Sequence, residues 1–179
     1  SSFVITDSLL QEINLLRKLN HPFILKYVDA KKSPKSFYLI LELCQGGTLE
    51  DLIMSSPGGL SEEITKKILA QIIIAFKYLK QEKIIHRDIK PKNILIHNGN
   101  VKISDFGVAK MINEHNEVKE VVTFSGTIPF MSPQILRQNS YTYQTDMWSL
   151  GVTLYNMVFG KLPWKGSRVM QILNEIENE

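Results

Sequence analysis

The stretch His86-Arg87-Asp88-Ile89-Lys90-Pro91-Lys92-Asn93, followed by Asp105-Phe106-Gly107, decides how this sequence is read. Between the two, Ile94 to Ile96 and Val101 to Ile103 are strand-like. They are joined by His97-Asn98-Gly99-Asn100, whose Asn-Gly pair accepts the positive φ of a hairpin turn. Two carboxylates, a lysine and an amide thus fall at fixed spacings on either side of a strand hairpin. Each alone has an ordinary explanation, since an Asp in a loop most often caps a turn. The spacing of the whole set is what points to chemistry.

Composition sets the outer limits. The chain has 179 residues, 44% apolar and 22% charged, which is the make-up of a globular domain able to bury a core. Lys and Arg number 21 against 18 Asp and Glu, a net charge of +3, so a dedicated nucleic-acid binder is not expected. One cysteine, Cys44, excludes an internal disulfide, and four scattered histidines give no zinc-ligand spacing. A reducing intracellular setting, the cytoplasm, follows as the expectation. No apolar run approaches a membrane span, and Ser1 to Leu10 lacks the regions of a signal peptide.

Upstream of the motifs, Leu9, Leu10, Ile13, Leu16 and Leu19 recur at helical spacing, with Asp7 or Ser8 as N-cap and Pro22 as the stop. Ile24 to Val28 and Phe37 to Leu43 predict two antiparallel strands around a polar loop, Lys31 to Lys35. A brief helix is expected over Thr48 to Met54, then a break at Pro57-Gly58-Gly59. A long helix capped by Ser61 follows, its apolar face made of Ile64, Ile68, Ile72, Ala75, Phe76 and Leu79. Downstream, Gly107 to Tyr143 has no sustained period and is unusually long for a plain connection. Trp148, Val152, Tyr155, Met157 and Val158 predict a helix apolar on most sides and buried centrally, and Val169 to Glu177 a last amphipathic segment.

The paired motifs resemble the catalytic loop and metal-binding motif of eukaryotic protein kinases of the Ser/Thr type, and the likeness extends over essentially the whole chain. The resemblance implies an α+β, two-lobed kinase fold. Residues 1–43 would be part of the small lobe, 44–47 the hinge, and 48–179 most of the helical large lobe, incomplete at its C-terminus. It implies transfer of the γ-phosphoryl of Mg-ATP to Ser or Thr hydroxyls of a protein substrate. Asp88 would orient the hydroxyl and accept its proton, Lys90 would stabilise charge on the phosphoryl, and Asn93 and Asp105 would hold Mg²⁺. Thr127, in Gly126-Thr127, would bridge Asp88 and Lys90.

For ATP, the family places at Glu12 the partner of the ATP-positioning lysine, at Leu41 the gatekeeper, at Glu42 and Cys44 the hinge contacts to adenine, and at Leu95 the residue beneath the ring. Asp146 would receive hydrogen bonds from the catalytic-loop backbone, and Leu16, Tyr27, His86 and Phe106 would form an apolar column. Phosphorylation by an upstream kinase or by itself is expected at Thr123, with Ser125 second, and Arg87 and Lys110 would receive the phosphate. The stretch from Ile96 to Lys110 looks like the autophagy-initiating ULK-type group.

Departures accompany the likeness. The glycine-rich loop and the following strand lysine have no counterpart in these residues, Gln134 replaces a usual glutamate, and Lys92 replaces another. Where relatives that select upstream arginine carry acids, this sequence has Thr48, Lys92 and Asn156, so little arginine preference is expected. A kinase-like binding or scaffold protein is the rival reading. The intact set of Asp88, Lys90, Asn93 and Asp105 speaks against it.

Overall fold

The computed structural model describes residues 7–112 and 125–178. Helix α1 (Asp7–Lys18) buries Ile13 and Leu16, as the spacing predicts, and Leu15, which it did not single out, while Leu10 of the predicted set is exposed. Strand β1 (Tyr27–Lys32) pairs antiparallel with β2 (Phe37–Leu41). The first strand therefore starts later than expected, because the chain before it has another partner. The amide of Leu25 donates to the carbonyl of Ile103 at 2.9 Å, and that of Ile103 to the carbonyl of Phe23 at 2.9 Å, while Ile24 and Leu25 are buried. The second strand also stops short: Glu42 turns its amide to the carbonyl of Lys26 at 3.0 Å, and Leu43 is 73% exposed.

Helix α2 (Leu49–Met54) is capped by Thr48 in a reciprocal box with Asp51. Helix α3 (Glu62–Gln81) is capped by Ser61, whose Oγ accepts the Ile64 amide at 3.4 Å. Its buried stripe runs through Thr65, Ile68, Ile72, Ala75 and Leu79. Ile64, expected on that stripe, is exposed, because Thr65 takes the place one step of the 3.6-residue period away.

Strand β3 (Ile84–Ile85) pairs with β6 (Lys110–Met111), and β4 (Ile94–His97) with β5 (Asn100–Ile103), both antiparallel. Asn98 at φ 50° and Gly99 at φ 72° make the predicted tight turn. The described part of 107–143 is not all loop: it holds β6, a short 3₁₀ turn at Ile128–Phe130, and α4 (Pro133–Leu136).

Helix α5 (Tyr143–Phe159) meets only in part the expectation of a helix apolar on most sides: Val152 and Met157 are buried, but Val158 is exposed. Met147 and Phe159 are exposed, and the buried side carries Thr145, Asp146, Ser149 and Thr153 among its apolar residues. Each of these polar side chains has a hydrogen-bond partner, which is what allows them inside. Helix α6 (Val169–Asn178) closes the described chain.

Two cores result. The main one joins Leu16, Ile24, Ile72, Ile94, Ile103, Phe106 and Leu150. A second gathers Met131, Ile135, Leu136 and Tyr141 over Ile172 and Leu173 of α6. No helix among the described residues is long and apolar enough to cross a membrane.

Candidate active site

The segment between β3 and β4 carries the candidate chemistry, and its backbone is held from below. The Asp146 carboxylate, buried at the start of α5, accepts the amides of His86 at 2.8 Å and Arg87 at 2.9 Å. Burial pushes the Asp146 carboxyl above its ordinary range, and the two amides and the charge of Arg87 act against that rise. His86 is fully buried and packs edge-on against Phe106, with ring centroids 4.8 Å apart. Its Nδ1 faces the Asp88 amide at 3.3 Å and its Nε2 the Ser104 carbonyl at 3.0 Å. An amide can only donate, so Nδ1 accepts and Nε2 carries the proton.

Asp88, Lys90, Asn93 and Thr127 come together. Lys90 Nζ lies 2.6 Å from Asp88 Oδ2 and donates to Thr127 Oγ1 at 2.6 Å, and Thr127 Oγ1 donates to Asp88 Oδ1 at 2.9 Å. Asn93 Nδ2 donates to Asp88 Oδ2 and to the Asp88 carbonyl, each at 2.9 Å. Burial raises the Asp88 pKa, but hydrogen bonds from Lys90 and Thr127, the Lys90 charge and the Asn93 amide outweigh it, leaving the carboxyl below its ordinary range. At neutral pH it is ionised.

Asp105 sits at the end of β5 in left-handed geometry, φ 62°, and Arg87 likewise at φ 72°. Side chains rarely adopt that region, and these two of the five such residues lie next to Asp88 in the chain and at the second motif. Glu12 reaches the same corner from α1. A Cβ placed on Gly107 would lie 3.3 Å from Asp105 Oδ1 and 3.7 Å from both Glu12 carboxylate oxygens. Burial and the neighbouring Asp105 charge both push the Glu12 pKa up.

The residues assigned to adenine form a separate group. Leu41 ends β2, Cys44 is half-buried with its thiol pKa raised mainly by burial, and Leu95 on β4 bridges to Thr48. Gly46 and Gly47 are stitched to β4 through Ile96, and a Cβ on Gly46 would meet the Ile96 carbonyl at 2.7 Å. The Glu42 side chain does what its sequence position did not reveal: its Oε1 accepts the Lys26 amide at 2.7 Å and pairs with Lys102 Nζ at 2.8 Å.

Thr123 lies outside the described residues. The Ser125 carbonyl accepts the Tyr141 hydroxyl at 2.5 Å, and the Tyr141 ring lies 4.1 Å from the Arg87 guanidinium carbon. Lys110 stands opposite Ile85 in the β3–β6 pair. Gln134 is exposed on α4, and a different pair, Arg137 with Glu177, ties α4 to α6. Sequence reasoning did not single out Ser104, Lys102, Tyr141 or Asp51. Asp51 Oδ2 accepts both the amide and the hydroxyl of Thr48, so a carboxylate stands beside that position after all. Only the Thr-x-x-Asp spacing could have signalled it.

Comparison with known proteins identifies the domain. Residues 3–179 match the protein kinase domain. The chain is 34% identical over 174 residues to serine/threonine-protein kinase ATG1c of Arabidopsis thaliana, covering 95% of this chain and 23% of that protein. It is 34% identical to atg1 of Dictyostelium discoideum over 98% of this chain and 27% of that protein. The same identity holds with serine/threonine-protein kinase RAD53 of Saccharomyces cerevisiae, over 95% of this chain and 22% of that one. The likeness therefore spreads across several Ser/Thr kinases, and this chain spans roughly a quarter of the length of each. With the domain matched almost end to end, the chain belongs to the protein kinase family.

Proposed function

We propose that the protein transfers the γ-phosphoryl group of ATP to Ser or Thr hydroxyls of a protein substrate. The observation that supports it best is the closed set of Asp88, Lys90, Asn93 and Thr127 around one carboxylate. In this reading residues 1–43 belong to the small lobe, 44–47 to the hinge and 48–179 to the large lobe, in a cytoplasmic protein.

Asp88 is ionised and partly shielded, so it can accept a hydrogen bond from an incoming hydroxyl, fix its direction and take its proton as the bond to phosphorus forms. Lys90 lies within reach of the same centre and neutralises charge there. Thr127 couples both groups to the segment that follows Gly126, so the hydroxyl's binding surface and its base share one geometry.

The oxygen donors suit Mg²⁺. Asn93 commits its Nδ2 to Asp88, which leaves Oδ1 as a ligand, and Asp105 supplies a carboxylate. Bound Mg-ATP supplies the phosphoryl group and offsets its charge. Glu12, Leu41, Glu42, Cys44 and Leu95 are the residues we assign to holding the nucleotide.

In the complete protein, Asp88→Asn keeps the shape and removes the base, and peptide phosphorylation should fall about 10²- to 10⁴-fold. A rate within twofold of wild type rejects this function for Asp88. We further assign Thr123, then Ser125, as the regulatory phosphosite, with Arg87 and Lys110 as its receivers. Mass spectrometry of the active protein locates the phosphate, and full activity without one removes the switch.

A further inference from the structure

Serine precedes proline at three places in this sequence, Ser33-Pro34, Ser56-Pro57 and Ser132-Pro133, and threonine at none. The dipeptide carries chemical information beyond turn formation. Proline has no backbone N–H, so an enzyme can read it by packing the ring where any other residue would leave a buried amide unpaired. The fold separates the three serines.

Ser132 is 2% exposed, and its Oγ caps α4 by accepting the Ile135 amide at 3.4 Å. That leaves a modifying enzyme no access. Ser56 follows the C-terminal end of α2, where its Oγ donates to the Leu52 carbonyl at 2.9 Å and its amide to the Ile53 carbonyl at 3.0 Å. A phosphate there would face carbonyl oxygens. No lysine or arginine stands between Lys35 and Lys66 in the chain to offset it, whereas Glu50, Asp51, Glu62 and Glu63 do stand there.

Ser33 lies in the turn between β1 and β2, just past the pairing of Lys32 with Phe37. Lys31, Lys32, Pro34 and Lys35 around it are all exposed, and among the described residues none of the three lysines is in an ion pair. Ser33 Oγ accepts the Ser36 amide at 3.0 Å and donates to the Ser36 carbonyl at 3.2 Å, and the Ser33 amide donates to that carbonyl at 2.8 Å. A phosphate oxygen can therefore keep the Ser36 amide, while the carbonyl keeps its backbone donor. A phosphoserine brings a charge of about −1.5 to −2, which three lysines within two residues can answer with charge-assisted hydrogen bonds. The turn ends a two-stranded ladder, so opening it to present Ser33 in extended form breaks few bonds.

We propose that Ser33 is a phosphorylation site for a second, proline-directed protein kinase, and that Lys31, Lys32, Lys35 and the Ser36 amide hold the phosphate. In the transfer, Ser33 Oγ forms a bond to the γ-phosphorus of ATP and the bond from that phosphorus to the ADP oxygen breaks. The hydroxyl proton passes to the modifying enzyme's base, and ADP leaves. The site is separate from Thr123 and Ser125 and independent of the function proposed above. Its phosphate turns a cluster of three cations into a paired tip, pinning the far end of the hairpin that leads to Leu41.

The test incubates the complete protein with a purified proline-directed kinase and Mg-ATP and maps the phosphate by mass spectrometry. Ser33 should be labelled about tenfold or more above Ser56 and Ser132, and Pro34→Ala should cut its labelling by about the same factor. Hydrogen exchange reads the clamp: the Ser36 amide should exchange about tenfold more slowly once Ser33 carries phosphate, and less slowing should remain when Lys31, Lys32 and Lys35 are all replaced by Gln. No label at Ser33, equal label at Ser56, labelling that ignores Pro34→Ala, or label at Ser33 with no enzyme added overturns the site. Unaltered Ser36 exchange, or slowing that survives the loss of all three lysines in full, overturns the clamp.

Discussion

Gly126→Ala is the sharpest probe of how the segment carrying Thr127 meets the loop carrying Asp88. Gly126 has φ 114°, which L side chains rarely adopt, and an added Cβ would sit 2.7 Å from the Arg87 carbonyl, 3.4 Å from Met131 Cε and 3.6 Å from Asp88 Oδ1. The methionine tip can move. The Arg87 carbonyl cannot easily do so, since Arg87 is buried and its amide is held by Asp146 at 2.9 Å. The segment must therefore give way, and with it the Thr127 contacts to Asp88 and Lys90. Backbone strain alone is worth about 1–3 kcal/mol. Spent against the docked arrangement, that lowers the rate about 5- to 150-fold. Part of the strain should also appear as a lower thermal midpoint, because Ile128 of the same segment packs on the second core and the carbonyls of Pro129 and Phe130 are held by Trp164 and Ser149. Gly58→Ala is the matched control: φ is 83°, but nothing lies within 4 Å of the added Cβ. It carries comparable strain, far from the site, and should leave phosphorylation intact. Steady-state peptide phosphorylation and thermal melts of both variants decide the matter. Gly126→Ala above half the wild-type rate, or Gly58→Ala losing as much activity, would refute the reasoning.

Three further outcomes follow from the same geometry. Asp146→Asn replaces one acceptor oxygen by an NH₂ facing a backbone amide, so unfolding free energy should drop by about 1–3 kcal/mol, measured in urea. Unchanged stability would contradict the buried geometry. The Asp88 carboxyl titrates below the ordinary Asp value of about 3.9, so at acid pH the unfolded chain binds the extra proton. Its stabilising contribution is complete above that value and is lost as pH falls through the lower folded pKa. The stability difference between wild type and Asp88→Asn should thus be flat above about pH 5 and change only below about pH 3.9. A change already between pH 7 and 5 speaks against it. Lys92 is exposed beside the site, and Lys92→Glu should add a preference for arginine upstream of the acceptor on a peptide array; an unchanged profile removes Lys92 from substrate selection.

What the sequence displayed was local chemistry. Asn98-Gly99 makes its turn, Ser61 its cap, and the helices start and stop within a few residues of their signals, because those features depend on neighbours along the chain. Errors arose where partners are distant. Tyr27 starts β1 only because Phe23 to Leu25 are claimed by Ile103, and Ile64 lost its place on the α3 stripe to Thr65. The buried side of α5 looked unremarkable because its polar residues find partners such as the Phe130 carbonyl and the His86 amide. Tyr141 and Trp164 act on backbone carbonyls, which every residue has, so their targets carry no signature in sequence. The meeting of Asp88 with Thr127 was expected from a family likeness, and no periodicity could have supplied it across the intervening chain.

Once assembled, the hydrogen bonds around Asp88 close on themselves. The Asp88 amide donates to His86 Nδ1, His86 Nε2 to the Ser104 carbonyl, the Ser104 amide and hydroxyl to the Asn93 carbonyl, and Asn93 Nδ2 back to Asp88. Asp105 follows Ser104 directly, so the loop bearing Asp88 and the segment leading to Asp105 are joined through this network. Members of such a ring polarise one another, and loosening any link is felt by all. The segment carrying Thr127 rests on a different core through Ile128. The Asp88 carboxylate meets both, with Oδ2 held by Asn93, Oδ1 by Thr127, and Lys90 bridging Oδ2 and the Thr127 hydroxyl. In the function proposed above, a group that presents a hydroxyl to a phosphoryl donor has to answer to both, and this carboxylate gives one oxygen to each.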